Sequence, residues 1–204
     1  MSDQNGQEGQ SAPGTHPLVR AERARTSAPQ CVVSTTVFQL EDVLTTQVAD
    51  ALLERILAQI GPLDRDGGVF GVEIPELTGA LEQLIPMAGE LFDADDLAGK
   101  METQLLVHTN GRHSLPQVEQ GQAAISFDYF LCRRPREFTG GQLRIYDQAL
   151  SGGRTECAAS FRDIHPLHDT LVMYPATAWR EVTLIHCPSE DPSCGRFAIH
   201  GQLK

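Results

Sequence analysis

SFDYFLCRRPREFTGGQLRIYD, residues 126–147, is the stretch whose reading decides the fold. Its first part continues a run from Ala123 to Leu131 in which Ile125, Phe127, Tyr129 and Leu131 alternate with Ser126, Asp128 and Phe130. A period of two is the signature of a strand, and the partly filled second set fits a strand covered on both faces. Gly140-Gly141 then permits a sharp backbone turn into a second strand, Gln142–Tyr146. Working outward, further short strands are expected at Glu102–His108 upstream and at Thr170–Tyr174, Glu181–His186 and Phe197–Leu203 downstream, separated by Gly, Pro and Asp turns. Such a series of short strands reads as an antiparallel sandwich or barrel.

Upstream the period changes. Val32–Val37 is β-branched and reads as a strand. Asp42–Ile60 carries Val43, Leu44, Val48, Leu52, Ile56 and Leu57 at helical spacing and ends at Gly61-Pro62. After a turn over Asp64–Gly68 comes a strand at Val69–Ile74. A second amphipathic helix, Pro75–Phe92, follows, with Leu77, Leu81, Leu84, Ile85 and Met87 apolar. Two helices ahead of about seven strands predict a mainly β jelly roll with flanking helices packed on one sheet. Residues 1–30 are Gln, Gly, Ser, Pro and charge. They bury too little to offset their ordering entropy, so the expectation is a disordered tail ahead of one domain over 31–204. Arg20, Arg23 and Arg25 are read as part of a solvated tail rather than as a docking patch. There is no internal repeat and no Gly-rich phosphate loop.

The chain has 204 residues, 41% hydrophobic and 21% charged, with a formal net charge of -11. That balance is ordinary for a globular domain and disfavours nucleic acid and anionic membrane surfaces as partners. No apolar run is long enough to span a bilayer, and no signal core stands at the N-terminus, so a cytoplasmic location is expected. Cysteines number five, an odd count expected to be reduced thiols, although Cys187 and Cys194 flank one loop and could meet across it.

Two segments, residues 126–147 and the later DTLVMYPATAWREVTLIHCPSEDPSCGRFAIHG at 169–201, together resemble the prolyl-hydroxylase-like branch of the Fe(II)/2-oxoglutarate oxygenases. The matching residues are Phe138, Gly140, Gly141 and Leu143, then Pro175, Glu181 and Val182, then Arg196, Phe197, Ala198 and Ile199. The resemblance spans roughly residues 35 to 204. It implies a double-stranded β-helix, the cupin-like jelly roll. It also implies, by family likeness only, Fe(II) and 2-oxoglutarate as cofactors.

The resemblance also marks a departure. The family holds iron with His-x-Asp/Glu and a distal His, leaving positions open for 2-oxoglutarate and oxygen. Here those positions fall on Gln117-Val118-Glu119 and on Arg180. A guanidinium cannot ligate a metal, so no metal ligand set is assigned. Arg180 paired bidentately with Glu119 would instead supply positive charge where iron sits. Arg196 matches the arginine that pairs with the distal carboxylate of 2-oxoglutarate, and a buried arginine without an anion is expensive. The competing reading is an internal ion pair with Glu181 or Asp169. Tyr129 is read as a possible ligand contact or a core aromatic, and Trp179 as a pocket wall or core.

Three functions are carried forward. The first is a metal-independent enzyme of isomerase, cyclase or lyase type, possibly in specialised metabolism. It would act on a small anionic or carbonyl-containing molecule, with Glu119 as acid or base and Arg180, Arg196, Tyr129, Gln117 and Trp179 around the ligand. The second is a true hydroxylase with a metal site displaced onto some of His165, His168, His186 and His200 with Glu119 or Asp169. The third is a non-catalytic pseudo-oxygenase that binds a ligand or protein. An open cavity of several hundred Å³ favours a small-molecule site over the third reading.

Overall fold

The computed structural model describes residues 31–60, 68–94, 97, 101–119 and 121–204. The expected tail, the Gly61-Pro62 stop and most of the Asp64–Gly68 turn lie outside the described residues. Twelve strands and two helices follow in the order β1 (Cys31–Val33), β2 (Phe38–Glu41), α1 (Thr46–Gln59), β3 (Gly68–Gly71), α2 (Pro75–Phe92), β4 (Met101–His108), β5 (Ile125–Leu131), β6 (Thr139–Gly140), β7 (Leu143–Ser151), β8 (Arg154–Ile164), β9 (Thr170–Pro175), β10 (Arg180–Val182), β11 (Ile185–His186) and β12 (Arg196–Leu203). A six-stranded sheet runs β2-β9-β5-β12-β4-β3. It faces a second sheet in which β1, β8 and β10 all pair with β7, and β6 and β11 form a third, short pair. Every pairing is antiparallel, as in a double-stranded β-helix.

Strand parity sorts the side chains. On the outer face of the large sheet, Phe127, Tyr129, Leu131, Leu171, Met173, Phe197 and Ile199 join the buried faces of α1 and α2 in one apolar cluster. On the inner face, Phe130, Val172, Tyr174 and Ala198 meet Leu143, Ile145 and Ile164 of the second sheet. The six-stranded sheet is therefore covered on both sides, which explains why β5 is buried at every position.

Several boundaries differ from the sequence expectation. α1 begins at Thr46 rather than Asp42, because Val43 N–H donates to the Asp169 carbonyl (3.4 Å) and Leu44 N–H to Asp169 Oδ1 (3.0 Å). Those bonds hold the entry chain against the barrel, and Thr45 then caps the helix by accepting from Val48 N–H. Of the expected strand over Val32–Val37 only Val32 and Val33 are strand, in β1, and β2 starts just after it at Phe38; that over Val69–Ile74 is β3, which ends at Gly71. Glu181–His186 is interrupted, becoming β10 and β11. The eleven-residue β8 was not foreseen: it is mostly exposed and lacks apolar alternation, so nothing in its pattern marks a strand. All five cysteines are free thiols; Cys187 Sγ lies 3.7 Å from the Cys194 carbonyl oxygen without a disulfide. No helix among the described residues is long and apolar enough to cross a membrane.

The glycine pair of the opening stretch has a measurable role. Both residues have positive φ, +74° at Gly140 and +68° at Gly141. A Cβ on Gly140 would collide with the Leu184 carbonyl oxygen, and one on Gly141 would lie 2.9 Å from Ile185 Cγ1 and 3.2 Å from Arg196 Cδ. Gly140→Ala is expected to destabilise the protein by about 2 kcal/mol or more, adding backbone strain to a clash with main chain. Gly152→Ala meets no neighbouring atom and should cost about 1 kcal/mol at φ +57°. Urea denaturation of the two variants side by side measures the difference.

Candidate functional site

The inward parity of β12 aims Arg196, Ala198, His200 and Gln202 into the barrel. Asp128 of β5, Tyr174 of β9, His108 of β4 and Arg180 of β10 point the same way. Glu119 reaches them from the segment ahead of β5, which is held by reciprocal backbone bonds between Gln117 and Arg180, each 2.9 Å. The result is a continuous buried polar network. Arg180 Nη2 donates to Glu119 Oε1, and His200 Nε2 lies 3.2 Å from the same oxygen. Gln202 Nε2 donates to Glu119 Oε2 at 3.2 Å. On the other side of the imidazole, His200 Nδ1 is 3.5 Å from Asp128 Oδ1, an ion-pair distance longer than a good hydrogen bond. Asp128 Oδ2 accepts from Tyr174 O–H at 2.6 Å.

Arg196 is wholly buried. Its Nη1 donates to His108 Nδ1 at 3.2 Å, and its guanidinium carbon lies 4.8 Å from the centroid of the Phe130 ring. Its Nε and Nη2, and the Nε of Arg180, have no hydrogen-bond partner among the described residues. The alternative ion pairs for Arg196 are not made. Glu181 pairs with Arg144 at 3.1 Å, and Asp169 accepts from Tyr129 and Leu44.

The charges are set by this packing. Burial works against a charged imidazole at His200, but Asp128 and Glu119 outweigh it and raise the group to about 9. The His200 hydrogen bond, with help from Arg180, holds Glu119 down at about 2 against its desolvation. Desolvation of Asp128 is likewise overcome, by His200 and the two arginines, and its carboxyl stays below the ordinary range. Burial and the neighbouring Arg196 push His108 down to about 3, so it is neutral and keeps its proton on Nε2. Burial lowers Arg196 to about 10, which leaves it cationic at neutral pH. Three cations thus face two carboxylates inside the barrel.

A cavity of about 530 Å³ opens onto the network and is lined in part by His108, Gln117, Glu119, Arg180 and His200. A larger hollow of about 840 Å³, with Asp50, Cys132 and Arg134 in its wall, lies elsewhere. Arg134 and Asp50 pair with each other there at 2.7 Å, and none of the network residues line it, so the smaller cavity is the candidate site. Of the residues chosen from the sequence, Glu119 and Arg180 are in contact, Gln117 is exposed at the rim and Arg196 lies behind His108. Arg196 does not line the cavity, and neither do Tyr129 and Trp179. Tyr129 is on the outer face of β5, donating to Asp169 Oδ1 at 2.7 Å. Its parity with Phe127 and Leu131 fixes that direction. Trp179 precedes the inward Arg180, is half-buried, and does not line the cavity. Asp128 was missed, and His200 was named only as one of four candidate ligands of a displaced metal site. The available signal was the shared parity of Arg196, His200 and Gln202, three polar residues on one side of a strand otherwise apolar.

Two expectations follow. Tyr129→Phe removes a bond to a buried carboxylate and should lower stability by about 1–3 kcal/mol with no change in ligand affinity, read by calorimetric unfolding and titration. His200 titrates near 6.5 when unfolded and about 9 when folded. Its ion pairs therefore contribute fully below about pH 6.5 and are lost as pH rises through about 9. The stability gap between wild type and His200→Gln should narrow by on the order of 2 kcal/mol from about pH 6 to about pH 10, measured by urea midpoints. Glu119 acts in the opposite window, its contribution being lost as pH falls from about 4.5 through about 2.

No family model matches the chain. An uncharacterised PKHD-type hydroxylase of Synechocystis is 24% identical over 146 residues, 67% of this chain and 48% of the relative. The chain thus spans about half the length of that curated relative. Among solved structures, a Pseudomonas putida prolyl-4-hydroxylase superposes with a TM-score of 0.58 at 16% identity, covering 83% of this chain and 92% of the other. A Trichoplax adhaerens prolyl hydroxylase, solved with a hypoxia-inducible-factor peptide fragment, gives 0.58 at 13% identity and 82% coverage of each. A Burkholderia pseudomallei member of the 2OG-Fe(II) oxygenase family gives 0.52 at 13% identity, also covering 82% of each. The fold is the double-stranded β-helix of these 2-oxoglutarate oxygenase structures.

Proposed function

We propose that this chain is an oxygenase-fold enzyme that works without iron, binding a small anionic or carbonyl-containing molecule and moving a proton on it. The observation that carries the reading is the Arg180–Glu119–His200–Asp128 network at the wall of an open cavity. At the positions matching the family's ligands stand an amide, one carboxylate and a guanidinium. Both oxygens of that carboxylate already accept or pair, with Arg180, His200 and Gln202. This donor set does not fit a divalent iron, which needs free lone pairs and no adjacent cation. The surplus positive charge inside the barrel calls for an anion instead, since a buried unpaired cation is costly.

The roles shift relative to the sequence reading. Glu119, ionised down to about 2, is too weak a base to serve at neutral pH and acts as the anchor that orients Arg180 and His200. His200, protonated near neutrality, is the proton donor, and Arg180 stabilises an oxyanion or enolate that forms beside it. Isomerisation, cyclisation and dehydration all need those two functions.

The second reading, a hydroxylase with a displaced metal site, is favoured by two observations: a carboxylate and an imidazole 3.2 Å apart, and similarity to hydroxylases throughout. Among the described residues no three His, Cys, Asp or Glu side chains are grouped to hold a metal. Anaerobic titration of metal-stripped protein with Fe(II), with and without 2-oxoglutarate, separates the readings. Under the proposal, iron retained after desalting stays below about a tenth of an equivalent. Near-stoichiometric retention, strengthened by 2-oxoglutarate and lost in His200→Gln, would install the hydroxylase reading in its place.

A further inference from the structure

Two of the side chains that the inward strands place in the cavity wall keep a ring or guanidinium nitrogen that no protein group takes. Arg180 spends Nη2 on Glu119, and its Nε is enclosed. Its Nη1 bonds to nothing among the described residues and is not enclosed. His108 accepts from Arg196 Nη1 at Nδ1, 3.2 Å away, and its Nε2 is likewise unbonded among the described residues and not enclosed. Both side chains line the same cavity of about 530 Å³, so a molecule inside it has both in its walls. Gln104 and Gln117, also in that wall, are exposed at the rim.

The two donors differ in charge, and Arg196 is the reason. A guanidinium has only N–H groups to offer, so His108 must keep a lone pair on Nδ1 and its proton on Nε2. Protonating Nδ1 would set a donor against a donor beside a buried cation. Arg196 therefore holds a neutral imidazole in one tautomer. Arg196 itself stays out of reach: it is wholly buried, it does not line the cavity, and its Nε and Nη2 are enclosed. The arginine that the sequence resemblance assigns to the distal carboxylate of 2-oxoglutarate thus touches nothing in the cavity, and acts on it only through His108.

Charge balance selects the ligand. Arg180 and His200 offset Glu119 and Asp128, and Arg196 leaves one positive charge in excess. One carboxylate neutralises that excess, whereas two leave net negative charge in a site removed from water. The carboxylate goes to the donor that is itself ionised, Arg180 Nη1, because a charge-assisted bond is roughly twice as strong as a neutral one. That leaves His108 for an uncharged acceptor, and 2-oxoglutarate, with a carboxylate at each end, does not fit the pair. Resting on the metal-free reading above, we propose that the ligand is a monocarboxylic acid with a carbonyl group. Its carboxylate lies on Arg180, its carbonyl oxygen accepts from His108 Nε2–H, and Arg196 is the positioning residue that fixes the imidazole for this.

The test is calorimetric titration of the metal-stripped full chain with levulinate, a monocarboxylate bearing one ketone, and its two next-longer homologues. Each is compared with the plain acid and the dicarboxylate of equal chain length, and with 2-oxoglutarate. The best-spaced oxo acid is expected to bind at least about tenfold more tightly than all of these. Its preference over the plain acid should vanish in the double variant His108→Leu with Arg196→Met, which removes both partners of the buried bond. It should persist in His108→Gln, whose amide can accept from Arg196 and still donate to the cavity. Nitrogen-resolved imidazole NMR spectra of the unliganded chain, assigned with His108→Gln, should show His108 as one neutral tautomer protonated on Nε2 at neutral pH. A charged imidazole, or one protonated on Nδ1, overturns this inference alone. So does a series in which the acids bind but the ketone adds nothing, or in which a dicarboxylate binds tightest. Absence of binding by every acid to folded protein overturns it together with the metal-free reading.

Discussion

Everything inside this barrel is arranged around the ion cluster that joins Arg180 and His200 to Glu119 and Asp128. Charges removed from water are tolerated only when their partners are close and their remaining hydrogen-bonding positions are filled. The surrounding elements meet that condition for the two carboxylates one bond at a time. β9 supplies the Tyr174 hydroxyl to Asp128, β12 supplies the Gln202 amide to Glu119, and the Gln117 bridge holds the segment that carries Glu119. Removing one member leaves the others as uncompensated buried charge, so the cluster also constrains how β4, β5, β9, β10 and β12 can sit relative to one another.

Strand parity connects that cluster to the rest of the fold. In β5 the same alternation that sends Asp128 inward sends Tyr129 outward, where its hydroxyl binds Asp169 and thereby the entry to α1. Asp169 adopts φ 57° to do this, a conformation acidic side chains tolerate better than most. Two buried carboxylates, reached from the two faces of β5, thus serve different ends: Asp128 orients the imidazole of the site, and Asp169, just ahead of β9, fastens the helical layer to the barrel.

What could be read in the sequence follows the same division. β5, the Gly140-Gly141 turn, both helices and the apolar cores leave strong local patterns, because period and turn chemistry act on neighbours. β8 leaves none, being mostly exposed without apolar alternation and held by its pairing to β7. In the site, Glu119 and Arg180 were legible from aligned motif positions, and the structure places them together. Tyr129 was chosen by family likeness and Trp179 by nearness to Arg180, and adjacent residues on a strand face opposite ways. His200 could not be singled out from His165, His168 and His186, because a lone histidine in a strand carries no local signal. Its meaning comes from Glu119, which is 81 residues away in the chain and beside it in space.

Under the proposed metal-free reading, the charge balance of the interior accounts for how the barrel would take an anion. A divalent ion with one carboxylate leaves one positive charge at the site. Here Arg180 and His200 contribute two positive charges close to Glu119, which restores that local value with protein groups alone. Asp128 then takes up one further charge and Arg196 adds one, so the interior as a whole remains cationic by one. Side chains differ from a metal in what they do with that charge. An imidazolium and a guanidinium present directional N–H donors and a transferable proton, whereas a metal presents open coordination positions. Under the proposed reading, an interior built from the former selects for ligands that accept hydrogen bonds and favours proton transfer over oxygen chemistry.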